Sequence, residues 1–302
     1  MIRRSFFIRS RTGFQSGVGG SVSVPGQLIV MLSRLNGIGT VDAVSRTLVV
    51  GAGVPLQRAE EAAAAHGLSV GIDLAARGSA TIGGMISTNA GGIQAFRYGV
   101  MRQRVLGLEA VLADGSIVDA MMAVTKASSG YDLKQLFIGA EGTLGIITGA
   151  VLKLFPKPRA RATGFVGLAS PQAALGLLDI ALSRAGADVK SFELVPRIGI
   201  DFVLKHGADT RDPLQGKHAW YVLIELASQT AAALEETLEG LLGEAIEQGL
   251  VEDAAIAASL DQRNDFWRLR ELLSEVQKHE GGSIKHDVSV PISAVPAFLA
   301  DV

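Results

Sequence analysis

No cysteine occurs in this 302-residue chain, and that one absence removes several chemistries. Disulfides, thiolate nucleophiles, thioether links to a cofactor and Cys-ligated zinc or iron–sulfur sites are all excluded. The absence fits a reducing compartment. An excess of one charge is lacking too: 28 basic against 30 acidic residues give a net charge of −2, so electrostatics offer no case for a nucleic-acid partner. No run of about 18 uncharged apolar residues is present, which argues against a transmembrane helix. The Gly-x-Gly-x-x-Gly fingerprint and the Gly-Lys-Ser/Thr of a P-loop are both missing, so no nicotinamide site is expected. Acidic residues are missing before Asp42, while Arg3, Arg4, Arg9 and Arg11 stand among serines. That stretch reads either as a transit peptide or as basic residues that precede a strand by chance. Glycine-rich sequence from Gly17 favours the second reading, hence a cytoplasmic protein, with a mitochondrial one as the alternative.

Glycine is what the chain has in excess. Its 36 glycines crowd between Gly13 and Gly149, and the texture then turns Ala/Leu/Glu-rich. The change falls at Phe155-Pro156-Lys157-Pro158, where X-Pro pairs disfavour helix, so domains are expected over 1–158 and 159–302. In the first, Leu28–Leu32 and Thr47–Val50 read as strands, and Val54–His66 as a helix closed by Gly67. Leu106–Leu112 and Ile117–Asp119 flank the turn Asp114-Gly115 and predict an antiparallel hairpin. Gly145–Leu154 reads as this domain's last strand. In the second, strands are expected at Phe165–Leu168, Val189–Leu194, Ala219–Leu226 and Ser283–Pro291. Helices are expected at Pro171–Ala185, Arg197–His206, Gln229–Gln248 and Asp261–His279. That alternation predicts an α+β layer with its helices on one face.

The most informative stretch is Gly78-Ser79-Ala80-Thr81-Ile82-Gly83-Gly84-Met85-Ile86-Ser87-Thr88-Asn89-Ala90-Gly91-Gly92, followed by Arg97-Tyr98-Gly99. Glycine tolerates φ > 0 and lets backbone N–H groups approach an anion, and Ser, Thr and Asn add short polar side chains. On chemistry alone the stretch is either a phosphate cradle or a set of tight turns in a β-rich domain. Together with Leu106–Gly115 and with Leu136-Phe137-Ile138-Gly139-Ala140-Glu141-Gly142-Thr143-Leu144-Gly145-Ile146-Ile147, it closely resembles the FAD-binding domain of PCMH-type flavoproteins of the vanillyl-alcohol-oxidase superfamily. Phe266-Trp267-Arg268-Leu269-Arg270-Glu271 and Ile284–Pro291 resemble the substrate domain of its D-2-hydroxy-acid dehydrogenase branch. The likeness runs from about Val18 to the end.

The resemblance implies an α+β fold, in which a PCMH-type FAD-binding domain of two small α/β parts precedes a partial substrate (cap) domain. It implies non-covalent FAD, a small 2-hydroxy acid such as D-lactate, D-2-hydroxyglutarate or glycolate, its oxidation to the 2-oxo acid, and an unidentified electron acceptor. It places Gly83, Gly84, Asn89, Gly91 and Gly92 along the pyrophosphate, with Ser79 and Thr88 donating hydrogen bonds there. Tyr98 and Gly99 would form a tight turn near the flavin, with a core residue as the alternative for Tyr98. Glu141, Gly142 and Gly145 would approach the flavin and adenosine side, and the Ile146 and Ile147 amides the adenine or ribose. Arg270 and Lys285 would hold substrate carboxylates, since Arg offers a bidentate fork and Lys a point charge; apart from the resemblance, Arg270 reads as an exposed i,i+4 partner of Glu or a solvated helix face. Ser274 would add a hydroxyl, and Arg268 would be solvated. His66 reads as a helix C-terminal cap, and His206, His218 and His279 as surface residues. His286 reads as a packing residue, with catalysis as the alternative. No histidine pair has metal-ligand spacing.

Two departures bear on activity. Arg11–Gly20 stands where the family carries a first pyrophosphate loop, and its glycines are few and shifted. The family's later Gly-Asp-Gly-Asn-Leu-His region, with its zinc-type metal ligands and its base, has no counterpart before Val302. No base is therefore assigned, and the chain by itself is expected not to turn over D-lactate or D-2-hydroxyglutarate. An inactive truncated family member, a homo-oligomer, or a subunit completed by a partner chain are the alternatives.

Overall fold

A computed structural model describes residues 30–74, 76–230, 233–282 and 288–301. They divide into two compact units, one to Lys157 and one from Pro158. The expected strand at Leu28–Leu32 begins outside the described residues, and its remainder is not a strand. Arg11–Gly20 lies wholly outside them.

The first unit is built on an antiparallel sheet of β1 (Ile38–Asp42), β2 (Thr47–Gly51), β4 (Val105–Val111), β5 (Ile117–Ala120) and β6 (Ile146–Lys153), in the order β1-β2-β6-β4-β5. The β4–β5 hairpin turns at Gly115, whose φ of 87° only glycine adopts freely. Helix α1 (Leu56–Ala64) buries Leu56, Ala59 and Ala63, one helical stripe, and Gly67 at φ 69° ends its following turn. Short helices α2 (Ile82–Ser87), α3 (Ala95–Tyr98), α4 (Met101–Arg104) and α5 (Lys134–Phe137) carry the glycine-rich segments. The last strand is not β6 but β7 (Phe155–Pro156), which pairs with β3 (Leu68–Ser69).

The second unit is a four-stranded antiparallel sheet ordered β11-β8-β10-β9, from β8 (Ala160–Leu168), β9 (Val189–Pro196), β10 (Trp220–Ser228) and β11 (Asp253–Ile256). Helix α6 (Pro171–Ala185) starts where the Ser170 hydroxyl accepts from the Ala173 N–H, with Pro171 in its first turn. Helix α7 spans Arg197–His206, and α8 begins only at Leu234 and runs to Glu247. Helix α9 (Leu260–Val276) starts on a Ser259 cap, and α10 (Val295–Asp301) follows.

Helices cover both faces of this sheet, not one. Val222, Ile224 and Leu226 of β10 join a core with α6 and α8. Their alternates Tyr221 and Glu225 meet the other side, where Trp267 of α9 bonds to Glu225 and Phe266 packs on Phe165. A strand buried on both faces loses the polar alternation that marks a solvated one. The strand expected over Ser283–Pro291 lies partly on 283–287, outside the described residues, and Val288 to Val290 is not a strand.

Candidate functional site

The glycines of the first unit separate into those that pack and those that leave donors free. Helix α2 is docked by its own start: the Ile82 N–H donates to the Val54 carbonyl and the Gly83 N–H to that of Ala52, at 2.9 and 2.8 Å. A Cβ on Gly83 would stand 2.6 Å from the Ala52 methyl. Gly83 is thus a close-packing glycine with its amide engaged. The Gly84 N–H is engaged as well, by the Thr81 hydroxyl at 3.3 Å.

Beyond α2 the chain turns through a Schellman closure. Asn89 takes φ 52°, its N–H meets the Ile86 carbonyl, and the Ala90 N–H reaches that of Met85. The Asn89 side chain accepts from the Arg102 N–H at 2.9 Å, so it braces protein. The Thr88 hydroxyl donates to the Gly84 carbonyl and that of Ser79 to Ala76. Gly92 has φ 75°, and a Cβ there would fall 2.2 Å from the Asp73 carbonyl oxygen. Gly92 is therefore in the left-handed region, and Gly91 before it is not. The N–H groups of both donate to no described residue.

The second expected segment lies against the first. The Gly139 N–H donates to Ile86 and that of Glu141 to Ser87, so the carbonyls at the end of α2 are capped by this loop. Gly139, Glu141 and Gly142 take φ of 82°, 50° and 77°. The Gly142 N–H, like those of Gly91 and Gly92, has no described acceptor, and the Glu141 side chain is exposed. Gly145 lets β4 approach, since a Cβ would stand 2.8 Å from the Val111 oxygen. Ile146 and Ile147 pair with Val111 and Ala110, and Ile147 is buried. Gly99, at φ 76°, closes α3.

Two arginines that the sequence reading passed over hold this region. Arg102 donates through Nη1 to the Gln135 carbonyl and side chain at 2.9 and 2.7 Å, and through Nη2 to the Ile138 carbonyl at 2.5 Å. It clamps α5 to the turn after α2. Arg104 is fully buried and gives Nη2 to the Gly99 carbonyl, while Nε and Nη1 have no partner among the described residues. Burial pushes its guanidinium down to about 10, with Tyr98 acting the other way. A run of Arg-Gln-Arg directly after Tyr98-Gly99-Val100-Met101 was the available signal. The amides of Gly91, Gly92 and Gly142, without an acceptor among the described residues and two of them at positive φ, fit an anionic group such as a pyrophosphate.

In the second unit, Arg263, Trp267, Arg270 and Ser274 recur at four, three and four residues and so share one face of α9. Glu225, fully buried, accepts from Lys190, Arg263, Trp267 and Thr163 at 2.7 to 3.1 Å. Burial pushes the Glu225 carboxyl up; Lys190 and Arg263 beside it overcome this and hold it at about 2. A β-bulge brings Lys190 opposite, because Glu225 pairs with Ser191 and Leu226 with Val189. Arg270 donates through Nε to Glu193 at 2.6 Å and is 30% exposed, while Nη1 and Nη2 reach no described residue. Ser274 and Arg268 are exposed, and Lys285 and His286 lie outside the described residues.

His66 meets the Ala62 carbonyl, and His206 stacks on His279 beside Glu280. His218 is not a surface residue: it is nine-tenths buried, held by Glu252 at 2.7 Å and edge-on to Tyr221. Among the described residues no group of three or more His, Asp or Glu could hold a metal, and no helix is long and apolar enough to cross a membrane.

Residues 7–121 match the FAD binding domain, and 157–302 match the C-terminal domain of FAD linked oxidases. These two matches together place the chain among the FAD-linked oxidases. It is 41% identical to a D-2-hydroxyglutarate dehydrogenase of Xanthomonas citri pv. viticola, over 96% of this chain and 60% of that protein. To the mitochondrial D-2-hydroxyglutarate dehydrogenase of Arabidopsis thaliana it is 37% identical, over 94% of this chain and 51% of the relative. The chain thus spans between half and three-fifths of these relatives. Two solved structures share the fold. An alkyldihydroxyacetonephosphate synthase has a TM-score of 0.63 at 19% identity, over 87% of this chain and 52% of its own. A p-cresol methylhydroxylase has 0.60 at 16%, over 81% and 52%.

Proposed function

We propose that this chain serves the FAD-dependent oxidation of a D-2-hydroxy acid to the 2-oxo acid. The observation that carries the reading is Arg270, a half-buried cation in an FAD-linked oxidase domain, with the Nη1/Nη2 edge of its guanidinium bonded to none of the described residues. Such an edge takes a carboxylate through two parallel hydrogen bonds. The names of the relatives support the substrate class. The amides of Gly91, Gly92 and Gly142 would hold the pyrophosphate of FAD, which supplies the two-electron acceptor for the hydride leaving substrate Cα. Arg270 would bind and orient the acid, and Ser274 would add a hydroxyl one turn on. The hydroxyl proton has no assigned acceptor among the described residues.

The test is a titration of the FAD-loaded chain with D-2-hydroxyglutarate and with D-lactate, followed by flavin absorbance. A saturable perturbation by either acid that disappears in Arg270→Met is expected. No perturbation, or an unchanged one in the variant, refutes the reading.

Two further results follow from the cradle. The flavin is bound non-covalently, as the chain has no cysteine and its exposed His66 is engaged in its own helix. Acid precipitation should leave the flavin in the supernatant; yellow pellet protein would contradict this. Gly92→Ala should lose more flavin per folded chain than Gly115→Ala. Both sites have positive φ, a strain of about 1–3 kcal/mol for a non-glycine residue, but only Gly92 abuts backbone, and Gly115 faces open space. Equal flavin content would remove the pyrophosphate from this turn.

A further inference from the structure

The carboxylate-facing side of α9 is held to the sheet at two points. At one, Glu225 of β10 takes Arg263 and Trp267, one turn apart. At the other, Glu193 of β9 takes Arg270 through Nε alone. Glu193 pairs in register with Leu223, two residues along β10 from Glu225, so the two carboxylates stand on the same face of neighbouring strands. The second contact is chemically odd for a plain salt bridge. A carboxylate opposite an arginine is best satisfied by two parallel bonds to one edge of the fork. Here Glu193 occupies one nitrogen with one oxygen, and no described residue bonds to the end-on edge.

We infer that Glu193 is the positioning residue of Arg270: it fixes the guanidinium plane through Nε so that Nη1 and Nη2 point together at an incoming carboxylate. The inference rests on the proposed reading of Arg270 as the substrate cation. Glu193 acts on the ligand in two opposing ways, which makes its role measurable. Its negative charge repels an acid, and its accepting oxygen removes rotamer freedom that Arg270 otherwise loses on binding. Arginine carries much of that freedom in its long side chain.

The experiment titrates the FAD-loaded full chain with D-2-hydroxyglutarate in four forms: unaltered, Arg270→Met, Glu193→Ala and Glu193→Gln. Glutamine keeps the acceptor oxygen and drops the charge; alanine drops both. Positioning predicts that Glu193→Ala binds about 3–10-fold more weakly, the cost of ordering one free side chain. It predicts that Glu193→Gln binds as tightly as the unaltered chain or more tightly. Should both variants bind more tightly, Glu193 is only a repelling charge and the inference is overturned. Binding as weak in Glu193→Gln as in Glu193→Ala overturns it as well, because the acceptor then does not suffice. If Glu193→Ala fails to fold, Glu193→Met, which likewise lacks both the acceptor and the charge, takes its place and is read by the same criterion. Failure of the underlying reading looks different: the unaltered chain does not bind the acid, or Arg270→Met binds it equally well.

Discussion

Arg102→Met should lower the unfolding free energy of the first unit by about 2–4 kcal/mol, the cost of losing charge-assisted hydrogen bonds and stranding their acceptors. The side chain serves the Gln135 and Ile138 carbonyls and the Gln135 side chain, and the Ile138 residue is buried. A methionine fills similar space with no donor. Lysine would recover only part of the loss, since a point charge cannot span acceptors three residues apart as the planar fork does. Both tryptophans, Trp220 and Trp267, lie in the second unit, so their fluorescence is blind to this change. Amide hydrogen exchange is the suitable measurement. Faster exchange over 86–92 and 135–141, with the second unit unchanged, is the expected result. Unchanged protection there would show that the clamp does not hold the two loops together.

Glu225→Gln should be as costly in the second unit, by about 3–5 kcal/mol, the usual result of removing one partner from a buried ion pair. Lys190 and Arg263 would keep their positions with no counter-charge, and Lys190 is nearly as buried as Glu225. The dependence on pH separates this from a packing defect. The folded carboxyl sits at about 2, below its unfolded value of about 4.3. A depressed folded value means the contribution is complete above the unfolded value and is lost as pH falls from there through about 2. The unaltered chain should therefore lose stability across that acid range, and Glu225→Gln should lose less. Burial pushes Lys190 down, and Glu225 is the group that pushes it back up. Without Glu225, the lysine's folded value falls further below its unfolded one. Stability of the variant should then rise with pH through the alkaline range, more than in the unaltered chain. Urea unfolding followed by Trp267 fluorescence from acid to alkaline pH checks both limbs. Parallel curves for the two proteins would mean that Glu225 is not ionised in the fold.

Local chemistry made much of the fold legible. Arg197–His206 is a helix at the expected residues, and Ser170-Pro171 opens α6 as a serine cap with proline behind it should. The hairpin at Asp114-Gly115 follows from turn chemistry alone. The start of α8 was misplaced by five residues, from Gln229 to Leu234, because no capping side chain marks it. The second helix layer was missed because β8 and β10 are buried on both sides and carry no period of two. In the site, glycine content was visible, but the task of each glycine was not. Gly83 answers to Ala52 and Gly92 to Asp73, neighbours supplied by the fold. Arg102, Glu225 and Glu193 were invisible for the same reason. Their partners lie 33 to 77 residues away in the chain.

The shared carboxylate of the second unit also constrains how this sequence can drift. Lys190, Arg263 and Trp267 all lean on the one Glu225. Losing the acid first strands two cations, whereas losing one cation first leaves the acid still paired with the other. A lineage replacing this cluster with apolar residues must therefore part with Lys190 or Arg263 before Glu225. Among distant relatives the three positions should change in that order or not at all.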